Sequence, residues 1–409
     1  MSAYWRHVST VFTGSLFAQS IPIIGSLAIA RIFAPSEFGE FSTWLALVSF
    51  IAVVVTLRLE TVLAIVEDGE DRAKAVFITL ATTLSMTCIL SVALYILSSF
   101  SIARAYLPEQ PVLLSLIVPA AFLVALNQIW QTWAAVDGTY RKLNTMRLVQ
   151  AFSIVLIQIG AGLRYPAAVS LVLGFVIASG ISFVTAVILM PRFVYGSFFH
   201  HDMFLKFFLR YKKFPLYALP ADSINTAVAQ LPVLVVFHRF GGETAGYLAL
   251  TMRVLGAPVG LVGKAILDVF KRYAVLGIRE SGNCRNLYIK TFMALALASI
   301  IMVICTVLLA EDIFRVAFGD EWIQSGRMAI WLLPMFALGL VASPLSYMVY
   351  LVEKQYVDLL WQVGLMVVAM AALYGFSSSR STLIGYGVGY AMMYMVYILI
   401  SYRLSGGGN

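Results

Sequence analysis

Two cations lie on one stripe of a strongly apolar stretch. Arg253 is followed by Ala257, Gly260 and Lys264 at offsets of four, seven and eleven residues. Eleven helical residues turn about 1100°, so Lys264 comes within about 20° of the face that carries Arg253. Small residues between two cations leave room for a ligand, and the guanidinium fork suits phosphate oxygens bidentately. The competing roles are snorkelling of Lys264 to the membrane surface and an inter-helix salt bridge for Arg253. Arg58 and Glu60 are two residues apart. On a continuous helix they point to different faces and do not pair, so each needs another partner, either at a gate or phosphate contact or in a structural salt bridge. Asp222 and Asn225 sit one turn apart in a stretch interrupted by Pro215, Pro220 and Pro232. An acid beside a broken helix is a candidate cation site; the alternative is a capped polar turn. Asn127 and Gln131, with Gln19 and Gln230, offer amides that bind neutral hydroxyls, or else bond neighbouring helices. Trp130 and Trp133 offer stacking surface or interfacial anchors.

These residues need elements to hold them, and composition says which. Of 409 residues, 61% are hydrophobic and 12% charged, against about 25% charged in an ordinary soluble domain. The mean hydropathy is +0.90. A soluble enzyme, a disordered chain and a disulfide-rich secreted domain are excluded, because a soluble surface cannot be covered with so little polar material. The net charge of +8 reflects topology rather than nucleic-acid binding. Cys88, Cys284 and Cys305 have no metal or disulfide spacing, and neighbouring His200, His201 and Asp202 lack a further ligand. No cofactor, metal or nucleic acid is expected.

A spanning helix takes about 20 mostly apolar residues. Twelve runs qualify, at 9–31, 41–64, 75–98, 111–134, 145–163, 167–190, 215–237, 246–267, 289–310, 328–350, 357–376 and 381–402. The first is long for a signal-peptide core and carries Gln19 and Pro22, so it is read as a membrane helix. Most of the Lys and Arg fall on the side of the N-terminus; only Arg31, Arg104, Arg164, Arg239, Arg315, Arg327 and Arg380 fall on the other. Both termini are therefore expected in the cytoplasm. Segments 198–214 and 267–278 mix aromatic or aliphatic residues with Lys and Arg, and read as helices lying on the anionic cytoplasmic leaflet.

The chain also echoes itself. Ile32-Phe33-Ala34-Pro35-Ser36-Glu37-Phe38-Gly39 leads into the second run much as Phe240-Gly241-Gly242-Glu243-Thr244-Ala245-Gly246-Tyr247 leads into the eighth. The expected organisation is an all-α, polytopic protein with twelve transmembrane helices in two six-helix lobes. Residues 1–190 form an N-lobe, 191–214 an amphipathic linker and 215–409 a C-lobe. Repeats of this kind place a substrate path between the lobes.

Ala30-Arg31-Ile32-Phe33-Ala34-Pro35-Ser36-Glu37-Phe38-Gly39, Leu57-Arg58-Leu59-Glu60 and the 240–253 turn with Pro258 resemble the Wzx-type O-antigen and polysaccharide flippases. These belong to the multidrug/oligosaccharidyl-lipid/polysaccharide (MOP) exporter superfamily. The resemblance covers nearly the whole chain through loose motifs. It implies a V-shaped pair of six-helix bundles working by alternating access in the bacterial inner membrane. It also implies movement of an undecaprenyl-diphosphate-linked sugar unit from the cytoplasmic to the periplasmic leaflet. On that premise Arg253, Lys264 and Arg58 meet the diphosphate, while Asn127, Gln131 and Gln19 meet sugar hydroxyls. Asp222 and Asn225 take a coupling proton or Na⁺, and Glu60 gates. Membrane lipids and a polysaccharide polymerase with its chain-length machinery are the implied partners. Two alternatives stand beside it. An organic-cation antiporter of the same superfamily would want net acidic residues in its path. A membrane polymerase or glycosyltransferase would want catalytic groups in a sizeable outer loop, and the outer loops here are short.

Overall fold

In the computed structural model, residues 21 and 24–406 are described, except 68, 101–103, 105, 106, 109, 190–200 and 353. The described chain is all-helical. Ten helices are long and apolar enough to span a membrane, and one of these, 214–278, is 65 residues long. At 1.5 Å per residue that is roughly 98 Å, far more than the ~30 Å of a bilayer core. It is broken at Gly241, where φ is 88° and ψ 170°, and so holds two of the expected spans. A left-handed φ of this kind costs glycine little. Residues 21 and 24–32 are helical; the rest of the expected 9–31 span lies outside the described residues.

By its internal contacts the chain forms two units: residues 32–245, and residues up to 31 together with 246–409. Both divisions fall at the two segments that echo each other in sequence.

In the first unit, α1 is Pro35–Val55, α2 Glu70–Leu97, α3 Pro111–Val136, α4 Tyr140–Gly162, α5 Ala168–Leu189 and α6 the short His201–Tyr211. Proline opens both α1 and α3, where its missing N–H costs nothing. Helix α3 lies at the centre, against α1, α2 and α5. Trp44 of α1 is fully buried and donates from Nε1 to the Leu113 carbonyl of α3 at 2.9 Å. Gln158 and Asn127 donate to carbonyls of α5, at Leu171 and Ser179. Such bonds tie helices together where lipid gives no hydrophobic drive.

The second unit contains the latter part of α7 (Leu219–Ser281), then α8 (Arg285–Phe318), α9 (Ile323–Leu345), α10 (Tyr347–Leu351), α11 (Gln355–Gly375) and α12 (Ser379–Leu404). Helix α9 is the buried axis, with its faces against α8 and α12. Glycines set the spacing. A Cβ on Gly326 would lie 2.8 Å from Glu311 Cα, and one on Gly387 would lie 2.8 Å from the Trp331 carbonyl oxygen. Helix α8 is peripheral: Leu297, Ile300, Ile304 and Leu308 are exposed, as a lipid-facing surface requires. The end of the leading helix docks here. Trp322 Nε1 donates to the Ala30 carbonyl at 2.6 Å, and Arg31 donates to the Val316 and Ala317 carbonyls in the last turn of α8. A cation on the orphan carbonyls of a helix end is favourable.

Three expectations need correction. The 41–64 run is not one helix: α1 ends at Val55 and a 3₁₀ turn, Leu59–Ala64, follows. The 267–278 segment is not a separate surface helix. It continues the helix of 242–281, and Phe270 and Ala274 are fully buried in the core with Tyr288 and Leu295. Pro220 and Pro232 do not break α7, whose dihedrals depart from helical only at Gly241; Pro215 lies in a π turn, Phe214–Ala218, that leads into it.

Close packing at Gly387 gives a test. Gly387→Ala should destabilise the protein by about 1–3 kcal/mol through overpacking against backbone, whereas Gly180→Ala, whose Cβ meets nothing within 4 Å, should not. Thermal unfolding of the purified variants in detergent would show the difference.

Candidate functional site

Helix α1 stops because the chain turns left-handed. Leu57 and Arg58 have φ of 49° and 59°, unusual for non-glycine residues and costly unless surroundings enforce them. The turn removes the helical geometry that would keep Arg58 and Glu60 apart. Arg58 Nη1 lies 3.0 Å from Glu60 Oε1, and its Nε lies 2.5 Å from Asp222 Oδ2. The expectation that Arg58 and Glu60 do not pair is thereby corrected: it held only for an unbroken helix. Glu60 is 1% exposed. Gln128 of α3 donates to the same Oε1 at 3.3 Å, while Oε2 has no hydrogen-bond partner among the described residues. Glu60 lies in the turn between α1 and α2, outside the spanning helices. Burial raises its carboxyl above the ordinary carboxylate range, and Thr56 and Arg58 pull it back down.

The next turn of α3 extends this polar line. Asn127, Gln128, Gln131 and Thr132 line a recess of about 480 Å³, with Arg147 and Gln150 of α4 on the other side. Gln131 donates to Gln150 Oε1 at 3.4 Å and accepts from Arg147 Nε at 3.3 Å. Asn127 spends its Nδ2 on the Leu123 and Ser179 carbonyls; its Oδ1 has no partner among the described residues. The predicted pair Asn127 and Gln131 is thus brought to one recess. Gln128, Arg147 and Gln150 were not anticipated. The signal lay in the i,i+3 spacing of Gln128 with Gln131, and of Arg147 with Gln150. The recess offers amide donors and acceptors plus one guanidinium, a set suited to hydroxyl-rich ligands. Trp130 and Trp133 do not join it as free stacking surface. They are 5% and 7% exposed and stack on each other at 5.2 Å.

The structure does not bring all the predicted residues together. Asn225 is exposed, and Asp222 is held by Arg58. Gln230 is half-buried in α7. Gln19 lies outside the described residues. Arg253 and Lys264 belong to the other unit, on the unbroken helix 242–281, so their shared stripe survives. Arg253 and Ala257 are half-buried, while Gly260 and Lys264 are exposed. Among the described residues no three His, Cys, Asp or Glu side chains gather as metal ligands.

The buried pair predicts a stability asymmetry. Arg58→Ala strands the Glu60 charge and should cost about 3–5 kcal/mol. Arg58→Met combined with Glu60→Gln removes both charges and should cost much less. Thermal unfolding and membrane accumulation of the two variants would separate these outcomes.

A family model described as "Polysaccharide biosynthesis protein" matches residues 28–327. No curated protein sequence gives a match. Among solved structures, the lipid II flippase MurJ in an inward closed conformation aligns with a TM-score of 0.75 at 13% identity, covering 97% of this chain and 87% of that one. An inward-facing multidrug-resistance MATE transporter of the MOP superfamily aligns at 0.70 and 12% identity, covering 95% and 94%. A MOP superfamily transporter from Pyrococcus furiosus aligns at 0.56 and 14% identity, covering 98% and 95%. The fold is shared with these flippase and transporter structures, as the sequence resemblance implied.

Proposed function

The chain belongs to the polysaccharide biosynthesis protein family, and from that premise we propose that it is a flippase for a lipid-linked oligosaccharide. Its cargo is an undecaprenyl-diphosphate-linked repeat unit of O-antigen or a similar polysaccharide. The unit moves from the cytoplasmic to the periplasmic leaflet of the bacterial inner membrane by alternating access, and both termini lie in the cytoplasm. The protein is a transporter, not an enzyme, and hands its cargo to a polymerase.

The observation that carries this reading is the recess on α3 and α4. A chain this apolar keeps amides and a guanidinium within its membrane helices only at a cost, and amide side chains are suited to sugar hydroxyls. Asn127, Gln128, Gln131 and Gln150 are assigned to the sugar, and Arg147 to an acidic substituent or phosphate. Arg253 and Lys264, on their stripe in the other unit, draw the diphosphate by charge-assisted hydrogen bonds. Arg58 and Glu60 act at a gate. A coupling proton or Na⁺ at Asp222 must displace the Arg58 guanidinium, so ion binding and the gate share one pair of charges.

The test is leaflet sidedness of an undecaprenyl-diphosphate oligosaccharide in proteoliposomes. Wild type should expose the sugar on the far leaflet, and Arg253→Glu should abolish exposure. Gln131→Ala should slow it about fivefold, the effect of one lost hydrogen bond worth ~1 kcal/mol. Efflux of an organic cation with no movement of the lipid would instead make it an antiporter of the MATE kind.

A further inference from the structure

A second cleft in the 32–245 unit has no part in the proposed transport path. It lies between α6 and the first turns of α2, with a volume of about 280 Å³. Helix α6 is held from one side: Phe207, Phe208 and Tyr211 pack on the Leu59–Val62–Trp133 core, and the Phe204 ring meets Phe77 of α2. Leu205 and Leu209, one turn apart, are 55% and 60% exposed. A short helix that packs aromatic residues on protein and leaves leucines and cations uncovered has the composition of an element at the membrane surface.

The charges that line the cleft are of both signs. Lys206 and Arg210 come from α6, Glu67 from the segment before α2, and Asp71 and Lys74 from the start of α2. Lys74 is already committed, at 2.7 Å from Glu70 and 3.9 Å from Asp71. Among the described residues Glu67, Lys206 and Arg210 take part in no ion pair. Ile78 and Met203 add apolar lining. Ile78 lies one turn further into α2 than Lys74, about 6 Å deeper along a helix rising 1.5 Å per residue. Charged groups at the mouth of a spanning helix with apolar lining one turn in match the profile of a phospholipid, from headgroup to acyl chain.

We propose that this cleft binds one phospholipid whose headgroup carries both a phosphodiester and a primary ammonium, with the phosphate at Lys206 and Arg210 and the ammonium at Glu67 and Asp71. A purely anionic lipid would satisfy the two cations but leave both carboxylates facing like charge. A choline headgroup has no N–H to donate to them. Phosphatidylethanolamine answers both signs.

The probes are phosphatidylethanolamine, phosphatidylcholine and phosphatidylglycerol, added in equal amounts to the delipidated full-length protein. Lipid retention is read by native mass spectrometry. Phosphatidylethanolamine should be retained about fivefold over either competitor, the upper range for one exposed ion pair. Lys206→Ser with Arg210→Ser should abolish retention of both charged-phosphate competitors and phosphatidylethanolamine alike. Glu67→Gln with Asp71→Asn should shift the preference to phosphatidylglycerol. All four positions are exposed apart from these contacts, so the variants are expected to fold, and a monodisperse elution profile checks this. Equal retention of the three lipids by wild type, a wild-type preference for phosphatidylglycerol, or an ethanolamine preference unchanged in both variants would overturn the assignment.

Discussion

One buried carboxylate organises the polar groups of the 32–245 unit. Glu60 is 1% exposed, and a charge so placed must be paired and hydrogen-bonded or neutralised. Arg58 is the nearest cation in sequence, but a helix would hold the two apart. The left-handed backbone at Leu57 and Arg58 resolves that conflict at some cost in strain. Ending α1 there brings Arg58 within reach of Asp222 as well. Gln128 completes the first oxygen of Glu60 and, through α3, connects the ion cluster to Asn127, Gln131 and the α4 side chains. The polar recess and the charge cluster are thus parts of one line of groups, in which, of the buried side-chain atoms, only Glu60 Oε2 and Asn127 Oδ1 lack a hydrogen-bond partner among the described residues.

Away from that line, the two units are built by a different economy. Without a hydrophobic drive between helices in lipid, association rests on close backbone approach and on scattered hydrogen bonds. Gly326 and Gly387 permit the approach on either side of α9. Thr251 and Ser299 donate to the Ser325 and Ala337 carbonyls, and Trp322 and Arg31 close the end of the leading helix. Charged groups are few, and Arg31 on the α8 carbonyls shows one placed at a helix end.

Hydropathy made the spanning helices legible, including the turn at 163–166, because about 20 apolar residues between charged loops have few other structures available. It could not show the end of α1. Thr56, Leu57 and Arg58 include neither glycine nor proline, so nothing local marks a left-handed turn; it accompanies the burial of Glu60 two residues on. The same gap hid the Arg58–Glu60 pair, which depends on that turn. Asn127 and Gln131 were visible because they share a helix face, whereas Gln150 and Arg147 join them only through the packing of α4 on α3. Trp130 and Trp133 left two roles open in the sequence, because aromatic residues near a polar face are as readily core, and here they stack on each other. The amphipathic 267–278 segment misled for a related reason: Phe270 and Ala274 form a buried face whether a helix lies along a membrane or continues out of it.

In the proposed function the α3–α4 recess is an aqueous surface that the lipid-linked sugar occupies. The direct measurement is thiol accessibility of Gln131→Cys in a background with Cys88, Cys284 and Cys305 replaced, using a hydrophilic maleimide. Gln131→Cys should be labelled, and undecaprenyl-diphosphate oligosaccharide, but not undecaprenol, should suppress the labelling. Absence of labelling in a folded protein, or labelling that the sugar-bearing lipid leaves unchanged, would contradict it.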